Sequence, residues 1–179
     1  MIIAAFALAA IAISPKVNAQ TKMVGGAAMY PTKNIVQNAV NSKDHTTLVA
    51  AVKAAGLVET LESAGPFTVF APTNEAFGKL PEGTVDNLVK PENKTTLTKI
   101  LTYHVVAGRL SAHDLWAKVK AGDGKAQLKT VEGGTLTVMA QGKKLYLVDE
   151  KGGKSWITIA DVNQSNGVIH VVNTVLMPD

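Results

Sequence analysis

From Asn34 onward the apolar positions follow a helical rhythm. Ile35, Val36, Ala39 and Val40 recur every three or four residues, and after Asp44 the set Leu48, Val49, Val52 and Ala55 repeats the pattern. Gly56 stands where a C′ residue takes a left-handed backbone, so two short helices are predicted in succession. Leu57, Val58 and Leu61 add one more turn. Ser63-Ala64-Gly65-Pro66 then turns the chain into Phe67-Thr68-Val69-Phe70, an apolar run that suits a short buried strand. Beyond Pro72, Thr73 is placed to N-cap a helix whose first turn holds Glu75. Thr84 is read as the cap of a brief helix with Val85, Leu88 and Val89, and Pro91 as the first residue of the next. There Leu97, Ile100, Leu101 and His104 fall at i, i+3, i+4 and i+7, which puts His104 in line with an apolar face.

"YHVVAGRL" has a strand-like centre. Ser111 and Asp114 follow it as a capping-box pair, with Leu110 and Leu115 as the hydrophobic staple of one more helix. After Asp123-Gly124 the pattern turns to short strands separated by glycine turns: "AQLKTV", "TLTVMA", "KLYLV" and "SWITIADV". Asn166-Gly167 is predicted to supply the positive φ angles of a tight hairpin, and "VIHVVNTVLMP" to end the chain as one strand or a pair. Helices first and strands second imply an α+β domain with mostly antiparallel pairing.

The beginning of the chain reads differently. Residues 2–13 are an unbroken apolar run, too short to span a bilayer and suited to the core of an export signal. Val17-Asn18-Ala19 places small residues where a signal peptidase cuts. The expectation is a signal peptide over residues 1–19, a flexible segment over 20–33 and one domain over 34–179, exported to the periplasm or beyond without stable membrane insertion. About 160 residues suffice for one sizeable core. Cutting after Ala19 removes Lys16 and leaves 17 basic against 14 acidic residues, a formal charge of +3. The lysines are scattered among few aromatics, which argues against nucleic acid as a partner. The absence of cysteine excludes disulfides, thiolate zinc sites and cysteine nucleophiles.

Three separated motifs carry a family resemblance: "FTVFAPTNEAF" at Phe67 to Phe77, the Tyr103-His104 pair in "YHVVAG", and "GVIHVVNTVLMP" at Gly167 to Pro178. In this order they resemble a fasciclin-like domain, and the likeness runs from about Met29 to Pro178. It implies a β-wedge or sandwich of about seven mostly antiparallel strands flanked by several helices. It also implies a non-catalytic role in adhesion or surface interaction, with a protein or carbohydrate partner and a monomeric chain. In animal members the region of the Tyr-His pair is linked to integrin binding, and the matching residues here are Tyr103 and His104.

The residues alone leave two readings of that pair: a surface recognition site, or a core histidine and its neighbour. His45, His104, His113 and His170 show no i, i+3 or i+4 pairing that would build a metal site on one helix face. His170 shares a strand face with Val168 and Val172, which favours a structural role. Asp161 reads as a carboxylate that holds the following turn. No Gly-x-Ser-x-Gly elbow or phosphate-cradling loop appears, so neither catalysis nor a cofactor is expected. Trp116 and Trp156 are candidate partner anchors or partly buried packing residues. A second functional reading is a carrier of a small apolar ligand, held between helices and sheet.

Overall fold

A computed structural model describes residues 20–179; the export signal read at 1–19 lies outside the described residues. The described chain opens with β1 (Lys22–Val24) and β2 (Ala27–Met29), then α1 (Ile35–Ala39), α2 (Thr46–Ala55) and α3 (Val58–Glu62). Next come β3 (Phe67–Pro72), α4 (Asn74–Gly78), α5 (Thr84–Leu88), α6 (Lys94–Tyr103), β4 (Val105–Ala107) and α7 (Ala112–Ala121). Five strands complete it: β5 (Lys125–Lys129), β6 (Thr135–Gln141), β7 (Lys144–Val148), β8 (Lys154–Gln164) and β9 (Gly167–Val172). The main sheet has seven strands in the order β4-β3-β9-β8-β7-β6-β5. Within it β3 and β9 run parallel, and every other neighbouring pair is antiparallel. An isolated bridge between Val106 and Thr130 joins the two edges and curls the sheet toward a barrel.

The opening motif is therefore the middle of the molecule. With β4 on one side and β9 on the other, β3 buries alternate side chains in two cores. Val69 and Ala71 face the core made with α1, α2 and α6, while Phe70 faces the core closed by α7 and β5 to β7. Thr68 is buried because its hydroxyl is used twice, donating to the Gly108 carbonyl at 2.7 Å and accepting from the Leu110 amide at 2.9 Å. Thr73 caps α4 as expected, its hydroxyl accepting from the Ala76 amide at 3.2 Å. Asn34 closes a capping box with Gln37, and Ser111 closes one with Asp114.

Several expectations are corrected. Residues 20–33 are not a flexible lead-in: β1 and β2 form an antiparallel hairpin, and Val24 and Met29 are buried in the same core as α1 and α2. The domain thus begins before Asn34. Gly83, with φ 77°, rather than Thr84 is the N-cap of α5. Pro91 opens a 3-10 turn, and α6 follows from Lys94.

The hairpin near the end differs too. Gln164 pairs with Gly167, so the two-residue turn is Ser165-Asn166 rather than Asn166-Gly167, and neither Asn166 nor Gly167 has positive φ. Gly167 is needed for closeness, since a Cβ there would stand 2.1 Å from the Phe67 carbonyl oxygen. After β9 there is no second strand; Val175 and Leu176 run on as buried irregular chain.

Asn166 fastens this corner to the helices. Its Oδ1 accepts from the Ile35 amide at 3.1 Å, and its Nδ2 donates to the carbonyls of Leu61 at 2.7 Å and Ser63 at 2.8 Å. Asn166→Ala strands these buried backbone groups, so a loss of about 2–3 kcal/mol is expected in urea unfolding. A loss below about 0.5 kcal/mol would show that the three bonds do not hold the corner.

Candidate functional site

Tyr103 ends α6 and His104 caps it, and both side chains lie inside the molecule, at 0% and 2% exposure. The Tyr103 hydroxyl donates to the Thr135 carbonyl at 2.8 Å and accepts from the Glu150 amide at 3.2 Å. Burial, with smaller contributions from the nearby carboxylates, pushes its pKa up to about 12, so it stays a neutral donor. His104 Nδ1 lies 2.8 Å from the Ile100 carbonyl, which can only accept, so Nδ1 carries the proton. His104 Nε2 then accepts from the Leu176 amide at 3.0 Å. The two bonds fix a neutral tautomer, and burial lowers the pKa to about 4.

Neighbouring carboxylates extend this frame. Asp149 Oδ1 accepts from the Gly153 amide at 2.6 Å and Oδ2 from the Met177 amide at 2.9 Å. Glu150 Oε1 accepts from the Thr135 amide at 2.9 Å. Tyr103 and His104 thus tie the end of α6 to the β7–β8 turn and the last residues of the chain. With all their polar atoms engaged by backbone, they present no contact atoms to a partner in this conformation.

His170 is also interior. Its Nε2 donates to the Leu110 carbonyl at 2.7 Å and its Nδ1 accepts from the Asp161 amide at 3.2 Å. Burial lowers its pKa as well. Asp161 does not hold the turn that follows it. It stands within β8, at a bulge with φ 57°, and its Oδ1 accepts from the Ala112 amide at 2.7 Å at the start of α7. No group of three or more His, Asp or Glu side chains among the described residues converges as a metal site. Nor is any helix among them long and apolar enough to cross a membrane.

A broad cleft of about 660 Å³ lies between α7 and strands β7 and β8. Its walls carry Trp116 and Trp156, with Lys143, Lys144, Thr158 and Asn173 around them. Both indoles are half-buried. Trp156 is braced from behind: it pairs with Tyr146 across β7 and β8, the rings 4.8 Å apart and tilted by 42°, and Lys154 Nζ lies 5.5 Å from the Tyr146 ring centre. Flat apolar faces edged by ammonium groups and hydrogen-bonding side chains suit a ligand with both apolar faces and negative charge. The sequence offered both tryptophans as candidate partner anchors or packing residues. Their meeting across α7 and the sheet has no local signal, and neither has the addition of Lys143, Lys144 and Asn173.

Comparison with known proteins places this architecture. The fasciclin-domain family model matches residues 43–178. Over 159 residues, 89% of this chain and 81% of the relative, the sequence is 46% identical to Protein sll1483 of Synechocystis sp.. It is 37% identical over 160 residues to the cell surface glycolipoprotein MPB83 of Mycobacterium bovis, covering 87% of this chain and 64% of that protein. The solved structure of a FAS1 domain pair from the insect cell adhesion molecule Fasciclin I superposes with a TM-score of 0.71 at 18% identity, over 81% of this chain and 51% of that one. The fold is therefore that of one FAS1 domain, and the chain belongs to the fasciclin-domain family.

Proposed function

We propose that this protein is an exported, non-catalytic surface-interaction module that binds a protein or carbohydrate of the cell envelope or matrix. The cell-surface location in the name of the Mycobacterium bovis relative supports this class of function. So do the apolar run at residues 2–13 and the cleavage pattern ending at Ala19, which favour export. The observation that carries the reading is the cleft holding Trp116 and Trp156 beside Lys143 and Lys144. Indole faces stack on sugar rings or apolar side chains, ammonium groups attract carboxylates or sulfates, and aromatic residues dominate interface hot spots. Among carbohydrates, an anionic polysaccharide matches that pairing best. Tyr103 enters this reading as a positioning residue that holds the β7–β8 turn at one end of the cleft strands, and His104 as one that holds the last residues of the chain.

The test is capture of envelope and extracellular components by the chain from Gln20 to Asp179, beside a Trp116→Ala, Trp156→Ala variant with unchanged circular dichroism. The variant is expected to retain less than about a tenth of the captured partner, a loss of more than ~1.4 kcal/mol. Equal capture by both proteins would move the site off the cleft, and no capture by either would sink the surface-interaction reading.

A further inference from the structure

Two residues of the tryptophan cleft, Trp156 and Lys144, also belong to the outer face of the sheet. Leu128, Leu136, Val138, Leu145 and Leu147 enter the core closed by α7, so the residues that alternate with them on β5, β6 and β7 form the opposite face. The register runs through this face strand by strand. Lys125 on β5 stands opposite Met139 on β6, Met139 opposite Tyr146 on β7, and Tyr146 opposite Trp156 on β8. These four side chains make one row of roughly 14 Å, three interstrand steps. Lys144 precedes Tyr146 by two residues, and Lys154 pairs with Val148, two residues after it, so the two lysines flank the row on opposite sides.

The chemistry of the face is one-sided. Tyr146 is only 8% exposed, with the Trp156 ring and the Lys154 ammonium against it. What reaches solvent is Lys125, Gln127, Gln141, Lys144 and Lys154. These are ammonium and amide groups, donors for carboxylates and hydroxyls. No exposed large apolar side chain belongs to β5, β6, β7 or β8, so the face lacks the apolar centre of a protein interface or of a lipid contact. Nor do β5, β6 and β7 contain any Asp or Glu, and the one acid of β8, Asp161, is held by the Ala112 amide. The acids of the adjoining turns, Glu132, Asp149 and Glu150, lie beyond the strand ends and accept from backbone amides. Among the described residues the single ion pair is Lys99–Glu132, which leaves Lys125, Lys144 and Lys154 without a carboxylate partner.

We propose that a linear anionic polysaccharide held in the cleft continues from Trp156 across the outer face of β7 and β6 to Lys125 on β5, its carboxylates meeting Lys144 and Lys154 on the way. The proposal rests on the cleft being the recognition site and makes recognition depend on the length of the polymer. The bridge between Val106 and Thr130 curls the sheet with its core inside, so the outer face is convex. A flexible polymer follows a convex face, whereas a flat bilayer touches it along a narrow strip. Each further lysine reached adds attraction that an oligomer confined to the cleft does not gain.

The experiment is a calorimetric titration of the full chain with trigalacturonate, which fills the cleft alone, and with dodecagalacturonate, long enough to cover cleft and face together. The long oligomer is expected to bind about tenfold more tightly, beyond the statistical gain from its extra registers. Lys125→Glu should reduce that gain to about threefold or less and leave trigalacturonate affinity unchanged. Lys53→Glu makes the same charge change on α2, which packs on the other core, and should keep the whole gain. Trimer binding with no gain for the long oligomer overturns the extension and leaves the cleft reading standing. An equal loss of the gain in Lys53→Glu and Lys125→Glu also overturns it, because general attraction to a basic protein would then explain the result. Absence of binding by either oligomer overturns both readings. Capture of anionic phospholipid vesicles through Lys125, without a length effect for the saccharide, would assign the face to a lipid surface instead.

Discussion

Phe70→Ala lowers the free energy of unfolding by about 3–5 kcal/mol, measured as the shift of the urea midpoint at constant m-value. The ring is fully buried at the centre of β3, in the core closed by Tyr103, Leu115, Leu136 and Leu176. It also stacks on His170, its register partner on β9, with centroids 5.7 Å apart and planes 24° from parallel. Truncation removes both contacts at the junction between the two cores, where neighbours on strands cannot easily close the gap. A loss under about 1 kcal/mol would mean that the second core does not depend on β3.

The second large effect is acid destabilisation through the buried histidines. His104 titrates near 6.5 in the unfolded chain and near 4 in the fold, chiefly because burial disfavours its charged form. Between those values the unfolded chain holds a proton that folding must release, so stability rises with pH across the window. It is complete above pH 6.5 and lost progressively as pH falls toward 4. From pH 6.5 to 5, above the usual carboxylate range, His104 alone accounts for about 2 kcal/mol.

His45 and His170 are lowered in the same direction by burial and add to the loss. For His170, Asp161 opposes that shift and Lys22 reinforces it. The geometry agrees, because each nitrogen that accepts from a backbone amide, of Leu176 or of Asp161, would become a donor facing a donor on protonation. Urea unfolding at pH 7.5, 6.5 and 5 checks this. Equal midpoints at 6.5 and 5 would contradict neutral interior histidines.

How much of this was written locally in the chain depends on the range of the contact. Thr73, Ser111 with Asp114, and Gly56 act within one helical turn, and their caps were legible. The three family motifs carried the α+β architecture because each contributes a strand or a helix end to the central sheet. The hairpin of residues 22–29 escaped because its strands are three residues long and its glycines resemble linker composition; Val24 and Met29 reveal its role only by their burial against distant helices. Asn166-Gly167 misled for a related reason. The dipeptide suits a positive-φ turn, but here tertiary contacts decide both residues: bonds to Ile35, Leu61 and Ser63 for one, the nearness of Phe67 for the other. The helical spacing that put His104 on an apolar face pointed to the interior, where it lies. The cleft depends on residues brought together by the whole fold.

The central claim is that recognition belongs to the tryptophan cleft while Tyr103 and His104 serve the interior. With two tryptophans in the sequence, the indole N–H signals give a direct reading of that face. The measurement is an NMR titration of the chain from Gln20 to Asp179 with an oligogalacturonate, an anionic saccharide. The account predicts saturable shifts of both indole signals and of the Lys143 and Lys144 amides, with the amides of residues 103–104 unmoved. Shifts concentrated at Tyr103 and His104, with the indoles unchanged, would contradict it.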